Sequence, residues 1–500
     1  MPPRRQARDC QIGVIDIGSN SVRFVVYHVF GRAFTPIYNE KVLAGLGRDL
    51  HKNGCLSVAG KLLALSALKR FKIIADNLQL EDVLIAATAA LRDAKDAPEF
   101  IQEVRRDIGF DISPLSGTDE ALMSALGVLA GEPRAHGLCA DLGGASLELI
   151  PIDQGNPGQG STYKLGPFSV YEGDFNPLKA RQVITSALSA IAKSAMEQDL
   201  YLVGGAWRNL ALIHQKRTSY PLRLAQNYRL SAGEAKQLAQ WAYSPQGRDV
   251  LKSWPGLSPR RAETLPYAGL LLEALLDRVG AGHAVIAPGG LRDGLVYRYL
   301  GPLAEHENAL FDGCRDLAHG NEQGVGFGEP LFDVLQGATS VFPSSFHHKN
   351  ENRLRKAACL LVGIGKGLHP EHKAKMVFRT VLYAPIFGLT HKERCYLALM
   401  LYASYTSKST TPNENTLAQL LTPDEQKAAR AYGYAMRLAV TLSARSVAVL
   451  KHLKFKHEPE ALFVILPGHL RALINEKIIL RTRELSQLID VPISVEYDPS

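Results

Sequence analysis

The sequence predicts an α/β protein with two α/β domains facing each other across a cleft, then a mainly helical region and a small C-terminal α/β unit. Its 500 residues allow three or four domains of about 100–200 residues each. Apolar strands alternate with helices as far as residue 300, which is typical of sheets covered on both faces. A motif of strand, aspartate, glycine turn and strand occurs twice, at Gln11–Phe24 and around Ala140–Glu148. Two such domains favour a ligand site at the interface between them.

The composition is that of an ordinary globular protein, with 46% hydrophobic and 21% charged residues. No stretch approaches the roughly 20 apolar residues that a membrane span requires, so no span is expected. The basic N-terminus lacks the apolar core of a signal peptide, and the six cysteines form no Cys-x-x-Cys pair. We therefore expect reduced thiols and a cytoplasmic location. The net charge of +8 is compatible with a polyanionic ligand but does not identify one.

The first motif is a predicted hairpin near the N-terminus. An apolar strand ends at Asp16, the turn is Gly18-Ser19-Asn20-Ser21, and a second apolar run starts at Val22. A turn of this kind presents backbone N–H groups, and a concave run of N–H groups binds anions, phosphate above all. The motif therefore predicts an anion site beside a carboxylate.

The second motif repeats this pattern with two carboxylates. A strand ends at Asp141, the turn is Gly143-Gly144-Ala145-Ser146, and Glu148 lies in the next strand. We expect left-handed backbone at the glycines, which would let the turn approach a ligand. Carboxylates beside a phosphate indicate a hard divalent cation, of which Mg²⁺ is the usual one. The alternative interpretation is an ordinary hairpin turn.

Periodicity predicts the remaining elements of the first domain. A helix over Ser57–Asn77 would bury one face, and Ser116–Ala130 would form another helix. The face predicted to be buried in the first of these helices consists of Leu62, Leu65, Leu68, Phe71, Ile74 and Ala75. The other predicted elements are strands at Ala33–Val42, Val83–Ala87 and Phe110–Ile112, a helix start near Arg92, and a helix over Pro98–Ile108.

The second domain and the C-terminal regions follow the same reasoning. Predicted helices cover Pro177–Glu197, Ser231–Trp241, Ser258–Val279 and Leu291–Leu300, with a strand at Ala284–Ala287 and a Gly204-Gly205 turn after a further strand. Beyond residue 300, helices are expected over Arg353–Ser407 and Pro423–Leu450, then strands at Leu462–Leu466 and Pro492–Val495 around a helix over Leu470–Ile489.

Three motifs together resemble a known family. DIGSNSVR from Asp16, SGTDEA at Ser116–Ala121 and DLGGASLE from Asp141 are similar to motifs of the exopolyphosphatase / guanosine pentaphosphate phosphatase family. That family belongs to the superfamily of actin, sugar kinases and heat-shock ATPases. The resemblance implies actin-like (ribonuclease H-like) domains at 1–130 and 131–300. It also implies a basic, degenerate HD-like helical domain at 301–422 and a C-terminal helix plus α/β unit at 423–500.

The resemblance assigns the catalytic base to Glu120, which would take a proton from the water that attacks a terminal phosphorus. Read from the sequence alone, Glu120 is interpreted first as a capping carboxylate in the first turn of a helix, and the resemblance reverses that interpretation. The family commonly has arginine two residues later, where this chain has Leu122. The resemblance also implies that Asp141 and Glu148, with Asp16, hold Mg²⁺ or Mn²⁺, directly or through water.

Arginines and turn residues are the implied phosphate ligands. Guanidinium groups present paired donors to phosphate oxygens, so Arg23 and Arg92 are candidates, although a lone helix arginine is often a surface charge. Asp96 stands where the family pattern near Arg92 has asparagine, and Ala145 stands where it has glycine. The predicted donors in the two turns are Ser19, Asn20, Ser21, Gly143, Gly144, Ala145 and Ser146. Gly204 and Gly205 are interpreted as allowing a close helix–strand approach.

The helical region carries an excess of positive charge, with 17 Lys and Arg against 6 Asp and Glu from residue 351 to 456. It would guide a long polyanion, or it is simply a solvated helical face. The candidate groove residues are Arg353, Arg355, Lys356, Lys366, Lys373, Lys375 and Arg379. Leu361-Val362 stands where an HD domain has its metal pair, so no such centre is expected. The histidines of this region, His347, His348, His369, His372 and His391, do not show convincing metal-ligand spacing.

The leading hypothesis is metal-dependent hydrolytic release of orthophosphate from the ends of inorganic polyphosphate. The close alternative is removal of the terminal phosphate of guanosine pentaphosphate, with guanosine penta- or tetraphosphate as substrate or inhibitor. An ATP-dependent sugar or acetate kinase is a second enzyme class. A sensor of polyphosphate or alarmone is the non-catalytic alternative, should Leu122, Ala145 and Asp96 have inactivated the site. The resemblance also implies a homodimer, and no nucleic-acid partner is expected.

Overall fold

The computed structural model contains two compact units, Met1–His306 and Glu307–Ser500. We call them the N-terminal and C-terminal units. The residues that the structure describes are 9–170, 175–191, 198–301, 309–319, 326–408, 410–412 and 414–498. The last part of the helix predicted over Pro177–Glu197 lies outside these residues.

The N-terminal unit alternates strands and helices, as the sequence predicts. Its first elements are β1 (Asp9–Ile17), β2 (Val22–Phe30), β3 (Ala33–Val42), α1 (Leu50–Asn53), α2 (Val58–Asn77), β4 (Asp82–Ala87), α3 (Ala89–Asp93), α4 (Ala97–Ile108) and α5 (Gly117–Gly131). There follow β5 (Gly137–Leu142), β6 (Leu147–Asp153), β7 (Asn156–Pro157), β8 (Ser161–Tyr163), α6 (Pro167–Val170), α7 (Pro177–Leu188), β9 (Asp199–Val203) and α8 (Gly205–Arg217). The last elements are β10 (Arg229–Ser231), α9 (Ala232–Tyr243), α10 (Pro245–Lys252), α11 (Pro259–Val279), β11 (His283–Ile286) and α12 (Leu291–Tyr299).

The first sheet has the strand order β3-β2-β1-β4. Strands β1 and β2 form an antiparallel hairpin in which Asp16 pairs with Arg23, and β4 runs parallel to β1. Helices α2 and α4 cover one face through a core that includes Leu68, Phe71 and Phe100. The predicted burial of Leu62 is wrong, because its side chain is 67% exposed and the helix turns Gly60 and Ala64 inward instead.

The second sheet has the order β10-β11-β9-β5-β6-β7, with β8 also paired to β6. Its β5–β6 hairpin sets Asp141 opposite Glu148. Trp207 of α8 lies in the core of this sheet, where its indole N–H donates to the carbonyl oxygen of Ala268 over 3.0 Å. Two hairpins with an aspartate at the same position therefore stand in two separate sheets.

Helix α5 joins the two halves of this unit. Its Ala121, Ala125 and Val128 pack in the core of the second sheet, although α5 lies almost wholly within the predicted 1–130 domain. Its crossing with α12 depends on glycine, since a Cβ at Gly294 would come within 1.7 Å of the carbonyl oxygen of Met123. The start of α12 is therefore fixed against α5.

Most predicted elements of the N-terminal unit are confirmed, with boundaries moved by a few residues. The strand predicted over Phe110–Ile112 is wrong, because the segment makes no ladder and only Pro114 bridges to Ala87. Its apolar side chains are nevertheless buried against the first sheet, and that burial explains the apolar pattern.

The C-terminal unit is mainly helical and ends in a small sheet. Its helices are α13 (Ala309–His319), α14 (Gly328–Gln336), α15 (His348–Leu360), α16 (Pro370–Tyr383), α17 (His391–Tyr405), α18 (Glu414–Leu420), α19 (Pro423–Leu442), α20 (Val447–Leu450) and α21 (Glu476–Ile489), with 3₁₀ turns at Thr339–Val341 and Gly468–Leu473. Its strands are β12 (Lys454–Glu458), β13 (Ala461–Pro467) and β14 (Ile493–Asp498), in that order in the sheet.

Helix α17 forms the centre of this unit and is buried almost throughout. Helix α19 crosses it at Gly433, where a Cβ would come within 2.5 Å of the carbonyl oxygen of Met400. Strand β12 was not predicted, because its charged residues alternate with Phe455 and His457 in a run too short for a clear pattern. In the part of the chain that the structure describes, no helix has both the length and the apolar character to cross a membrane.

Candidate active site

The two hairpin turns meet at one cleft of the N-terminal unit, a cavity of about 1560 Å³. The predicted site residues that line it are Asp16, Ser19, Asn20, Ser21, Arg23, Arg92, Glu120, Asp141, Gly143, Gly144, Ala145 and Ser146. Glu148 does not line the cleft and is only 1% exposed. The structure therefore brings these residues, which are far apart in the sequence, together around one cleft, and it buries Glu148 behind the cleft surface.

The two turns close in the same way. The Gly18 N–H donates to the carbonyl oxygen of Ser21 and the Gly143 N–H to that of Ser146, each over 3.0 Å. The expected left-handed backbone is wrong, since Gly18, Gly143 and Gly144 all lack a positive φ. A Cβ at position 144 would come within 3.1 Å of the Phe168 ring, so the ring would have to move by a few tenths of an ångström.

Glu120 is held in the cleft by an arginine and does not cap its helix. Ser116 is the N-cap residue, and its hydroxyl accepts from the Asp119 N–H over 3.0 Å. Glu120 Oε2 accepts from Arg92 Nη1 over 3.1 Å, and the Glu120 side chain is 12% exposed. The capping role thus belongs to Ser116 with Asp119, and the Glu120 carboxylate is directed into the cavity.

Three carboxylates share a poorly solvated region at the floor of the cleft. Burial, reinforced by the charge of Asp141 and opposed by Arg92, raises the pKa of Glu120 to about 7. Burial and the charge of Glu120 raise the pKa of Glu148 to about 9. Burial also raises the pKa of Asp141, against the hydrogen bond that Ser124 donates to it. A group with a pKa near neutrality suits general base catalysis.

These carboxylates fit a divalent cation. Glu148 Oε1 is buried without a hydrogen-bond partner, and crowded carboxylates of raised pKa gain most from a nearby positive charge. The ligand atoms of Asp16, Asp141 and Glu148 do not all lie within 4.8 Å of one another, and Asp16 Oδ2 accepts from Arg292 Nη1 over 3.0 Å. A hard cation that keeps several water ligands fits this arrangement better than one enclosed by protein oxygens.

Comparison with known proteins relates both units to one family. Residues 25–302 match the model of the Ppx/GppA phosphatase family, and residues 338–494 match the model for the C-terminal region of exopolyphosphatases. The first match covers more than half of the chain. The chain belongs to the Ppx/GppA phosphatase family.

The relatives with curated names are distant. The chain is 25% identical over 431 residues to Retrograde regulation protein 2 of Saccharomyces cerevisiae, covering 78% of this chain and 71% of the relative. It is 28% identical over 299 residues to a guanosine-5'-triphosphate,3'-diphosphate pyrophosphatase of Aliivibrio fischeri. That alignment covers 59% of this chain and 60% of the relative, so it spans about three fifths of that protein.

Solved structures show the same actin-like fold. The Ppx/GppA family member of Aquifex aeolicus aligns with a TM-score of 0.52 at 21% identity, over 59% of this chain and 98% of that one. An exopolyphosphatase of Cytophaga hutchinsonii aligns with a TM-score of 0.50 at 22% identity, over 58% of this chain and 97% of that one. At these identities the likeness establishes the fold alone.

The three departures from the family pattern have structural explanations. Leu122 packs against the core of the second sheet and does not line the cleft. Asp96 is the N-cap residue of α4 and accepts from the Leu56 N–H over 2.8 Å and from Lys61 Nζ over 2.9 Å. Ala145 has no positive φ. Its backbone packs so closely against Gly166 that a Cβ added at Gly166 would clash with it. None of the three blocks the cavity.

Seven cations of the cleft were missed by sequence reasoning. They are Lys41, Arg48, Lys164, Arg208, Arg260, Arg261 and Arg292. With Arg23 and Arg92 they make nine cationic side chains against five carboxylates, Asp16, Asp93, Glu120, Asp141 and Asp293. A signal was available for Arg208 and Arg292, because each follows a strand and a glycine pair, Gly204-Gly205 and Gly289-Gly290. The other five come from β3, α11 and two loops, with no motif.

The pair Gly204-Gly205 allows the close approach of a helix to a strand that we expected. Gly204 has a φ of +122°, and a Cβ there would come within 2.7 Å of the carbonyl oxygen of Leu142. Strand β5 therefore approaches the start of α8 closely. No neighbouring atom would meet a Cβ at Gly205 within 4 Å, and Gly205 lines the cleft.

The predicted groove of the C-terminal unit is wrong for Arg355, and Arg353 and Lys356 have partners within this unit. Arg355 is 2% exposed, and its guanidinium lies between Glu351 and the rings of Phe342 and Tyr432. Arg353 pairs with Glu393, and Lys356 lies over the rings of Phe311 and Phe332. These cations hold the helices together. Lys366, Lys375 and Arg379 are exposed and Lys373 is half-buried, so their groove role stays a prediction.

Proposed function

We propose that this chain is a metal-dependent phosphohydrolase that releases the terminal orthophosphate of inorganic polyphosphate. The excess of cations in the cleft around one buried glutamate carries the proposal. A solved relative named an exopolyphosphatase and the family match support it. We also propose a cytoplasmic homodimer.

Glu120 would take a proton from a water molecule while the water oxygen forms a bond to the terminal phosphorus. The bond from that phosphorus to the bridging oxygen breaks, and the electron pair leaves with the shortened chain. Arg92, 3.1 Å from Glu120, is near enough to orient this base and to contact a phosphate oxygen. The turn N–H groups would stabilise charge on the transferred phosphoryl group. Mg²⁺ or Mn²⁺, held by Asp16 and Asp141 with Glu148 behind them, would neutralise phosphate charge.

Further cations that line the cleft favour a chain of phosphates over a single phosphate. Arg23 and Lys41 are direct cross-strand neighbours in β2 and β3, an arrangement that is unfavourable for like charges. Burial and the charges of Arg261 and Arg23 lower the pKa of Lys41. In the described part of the chain, Lys41, Arg208 and Arg261 have no ion-pair partner. An extended polyanion would relieve this repulsion.

Phosphate release from long polyphosphate with Mg²⁺ tests the proposal. Glu120→Gln removes the base, so kcat should fall about 10²–10⁴-fold with little change in KM. Glu99→Gln, on the exposed face of α4, is the control and should match the wild type. Equal turnover by Glu120→Gln and the wild type would reject the assignment of the base.

Removal of the terminal phosphate of guanosine pentaphosphate is the second candidate. The relative of Aliivibrio fischeri is named for a guanosine substrate, and Phe168 offers a ring at the cleft that is 48% exposed, with the Arg260 guanidinium 4.6 Å away. An aromatic ring beside a guanidinium suits a purine base. The ratio of kcat/KM for the two substrates decides between them.

A sensor without catalysis is the third candidate, since the name of the yeast relative refers to regulation and to no reaction. The same assay distinguishes it, because a sensor would bind polyphosphate tightly with no turnover. Neither a sensor nor a phosphohydrolase requires ATP, whereas a kinase would transfer phosphate only with a nucleotide present.

A further inference from the structure

We propose that His369, Glu371 and His372, in the C-terminal unit, bind one divalent transition-metal ion of the zinc class. One ligand atom of each side chain lies within 4.8 Å of those of the other two. In the described part of the chain, no other three His, Cys, Asp or Glu side chains are grouped this closely. The site is independent of the proposed phosphohydrolase reaction, which uses residues of the N-terminal unit.

The backbone fixes the three positions relative to one another. His369 precedes Pro370, the first residue of α16, and a residue before proline is confined to extended conformations. Gly367, with a φ of +81°, turns the chain just before it. The His372 N–H donates to the carbonyl oxygen of His369 over 3.0 Å, which closes the first helical turn. The two imidazole ring centroids are consequently 5.8 Å apart.

This geometry explains why the sequence spacing did not indicate a site. On a regular helix, positions i and i+3 lie on the same face, whereas position i+2 points away from position i, so Glu371 would be directed away from His369. His369 lies outside the helix as its N-cap residue, so its side chain turns back over the first turn, beside Glu371 and His372. The grouping depends on this helix start and not on a helical repeat.

Two imidazoles and a carboxylate select for a particular class of metal. Imidazole suits Zn²⁺, Ni²⁺, Cu²⁺ and Co²⁺, whereas Mg²⁺ prefers oxygen ligands and octahedral geometry. Ligands about 2.0–2.1 Å from a tetrahedral Zn²⁺ lie roughly 3.4 Å apart. All three side chains are exposed, so rotamer changes can close the remaining distance at small cost. The fourth position would be open to water, and the carboxylate would balance part of the metal charge.

The C-terminal unit also provides a matched control. His452 and His469 are exposed, and their ring centroids are 6.3 Å apart, similar to the separation of the first pair. No carboxylate completes a three-ligand group with them among the described residues. The two pairs therefore differ mainly in the third ligand.

Zn²⁺ alone is the probe, titrated into the full-length protein in competition with a chromogenic chelator. Saturating Mg²⁺ is present throughout to occupy the carboxylates of the cleft. We expect His369→Ala/His372→Ala to lose one zinc equivalent, or to bind it at least tenfold more weakly, while His452→Ala/His469→Ala matches the wild type. Glu371→Gln should weaken the binding of this zinc ion without abolishing it. Circular dichroism checks that each variant is folded.

Substitution by Co²⁺ gives an independent readout, because tetrahedral Co²⁺ absorbs visible light much more strongly than octahedral Co²⁺. We expect this absorption in the wild type and its loss in His369→Ala/His372→Ala. Identical zinc isotherms for the wild type and this double variant would overturn the proposal, as would an equal loss in the His452→Ala/His469→Ala control. Either result is independent of whether polyphosphate is hydrolysed.

Discussion

At the residue scale, the chemistry depends on how two neighbours adjust one carboxyl group. Burial and Asp141 raise the pKa of Glu120, and Arg92 opposes them, so that the value is about 7. Neither contribution is visible in the motif around Glu120, because Asp141 comes from β5 and Arg92 from α3. The resemblance proposed Glu120 as the base, whereas the raised pKa that would suit this role comes from tertiary contacts.

The pH dependence of kcat/KM follows from this balance. A base must be ionised, so activity should rise with pH through the Glu120 pKa near 7 and then level off. Arg92→Met removes a charge that favours the ionised form, so the rise should move to higher pH. The measurement is the pH profile at constant Mg²⁺, with Arg105→Met on the exposed face of α4 as control. A lower plateau without a shifted rise would contradict this account of Arg92.

At the scale of elements, the crossing of α5 and α12 positions both sides of the site. Helix α5 carries Glu120, and α12 carries Arg292, which pairs with Asp16 of β1. The Tyr27 hydroxyl donates to Asp293 Oδ1 over 3.2 Å, which ties the start of α12 to the first sheet. The close approach at Gly294 therefore links the two halves of the N-terminal unit beside the proposed site.

Gly294→Ala tests this link. A Cβ would come within 1.7 Å of the carbonyl oxygen of Met123, so the helices must separate, at a typical cost of about 1–3 kcal/mol for overpacking. We expect a lower melting temperature and a higher KM for polyphosphate, measured by thermal unfolding and steady-state kinetics. Gly233→Ala is the control, because no atom lies within 4 Å of a Cβ built there. Equal melting temperatures for the two variants would show that the crossing tolerates a Cβ.

At the scale of the whole molecule, the cleft is a concentration of charge that no single motif supplies. Nine cations and five carboxylates converge there from strands, helices and loops of both halves of the N-terminal unit. Such a cavity attracts polyanions over distances limited by the Debye length, about 8 Å at physiological ionic strength. Affinity for polyphosphate should therefore fall as salt increases.

Lys41→Met measures how much of this attraction comes from one cation. Removing the charge should raise KM for long polyphosphate several-fold and reduce the slope of log KM against log salt, because one counterion-releasing contact is lost. The value of kcat should change little, because Lys41 takes no part in the proposed proton transfer. Lys69→Met, exposed on α2, removes the same charge elsewhere and should leave the slope unchanged. Equal slopes for the two variants would exclude a contact between Lys41 and the chain.

Local patterns determined the elements themselves. The apolar strands that end at Asp16 and Asp141, the glycine turns after them and the helix that begins beyond Ser116 follow from period, turn chemistry and capping, which act over a few residues. The three motifs carried the family resemblance and, with it, the actin-like fold. The buried Arg355 of α15 shows the limit of this reasoning, because it has the charge of a surface residue and pairs with Glu351 in the interior.

The sequence by itself determined the order of strands and helices, the two aspartate-led turns and the family to which the chain belongs. Only the tertiary structure decided that α5 packs on the second sheet, that Glu148 lies behind the cleft, and that seven further cations line it. The physical reason is that periodicity and turn propensity act between neighbours in the chain. Burial, pKa and charge density depend instead on groups that meet across hundreds of residues.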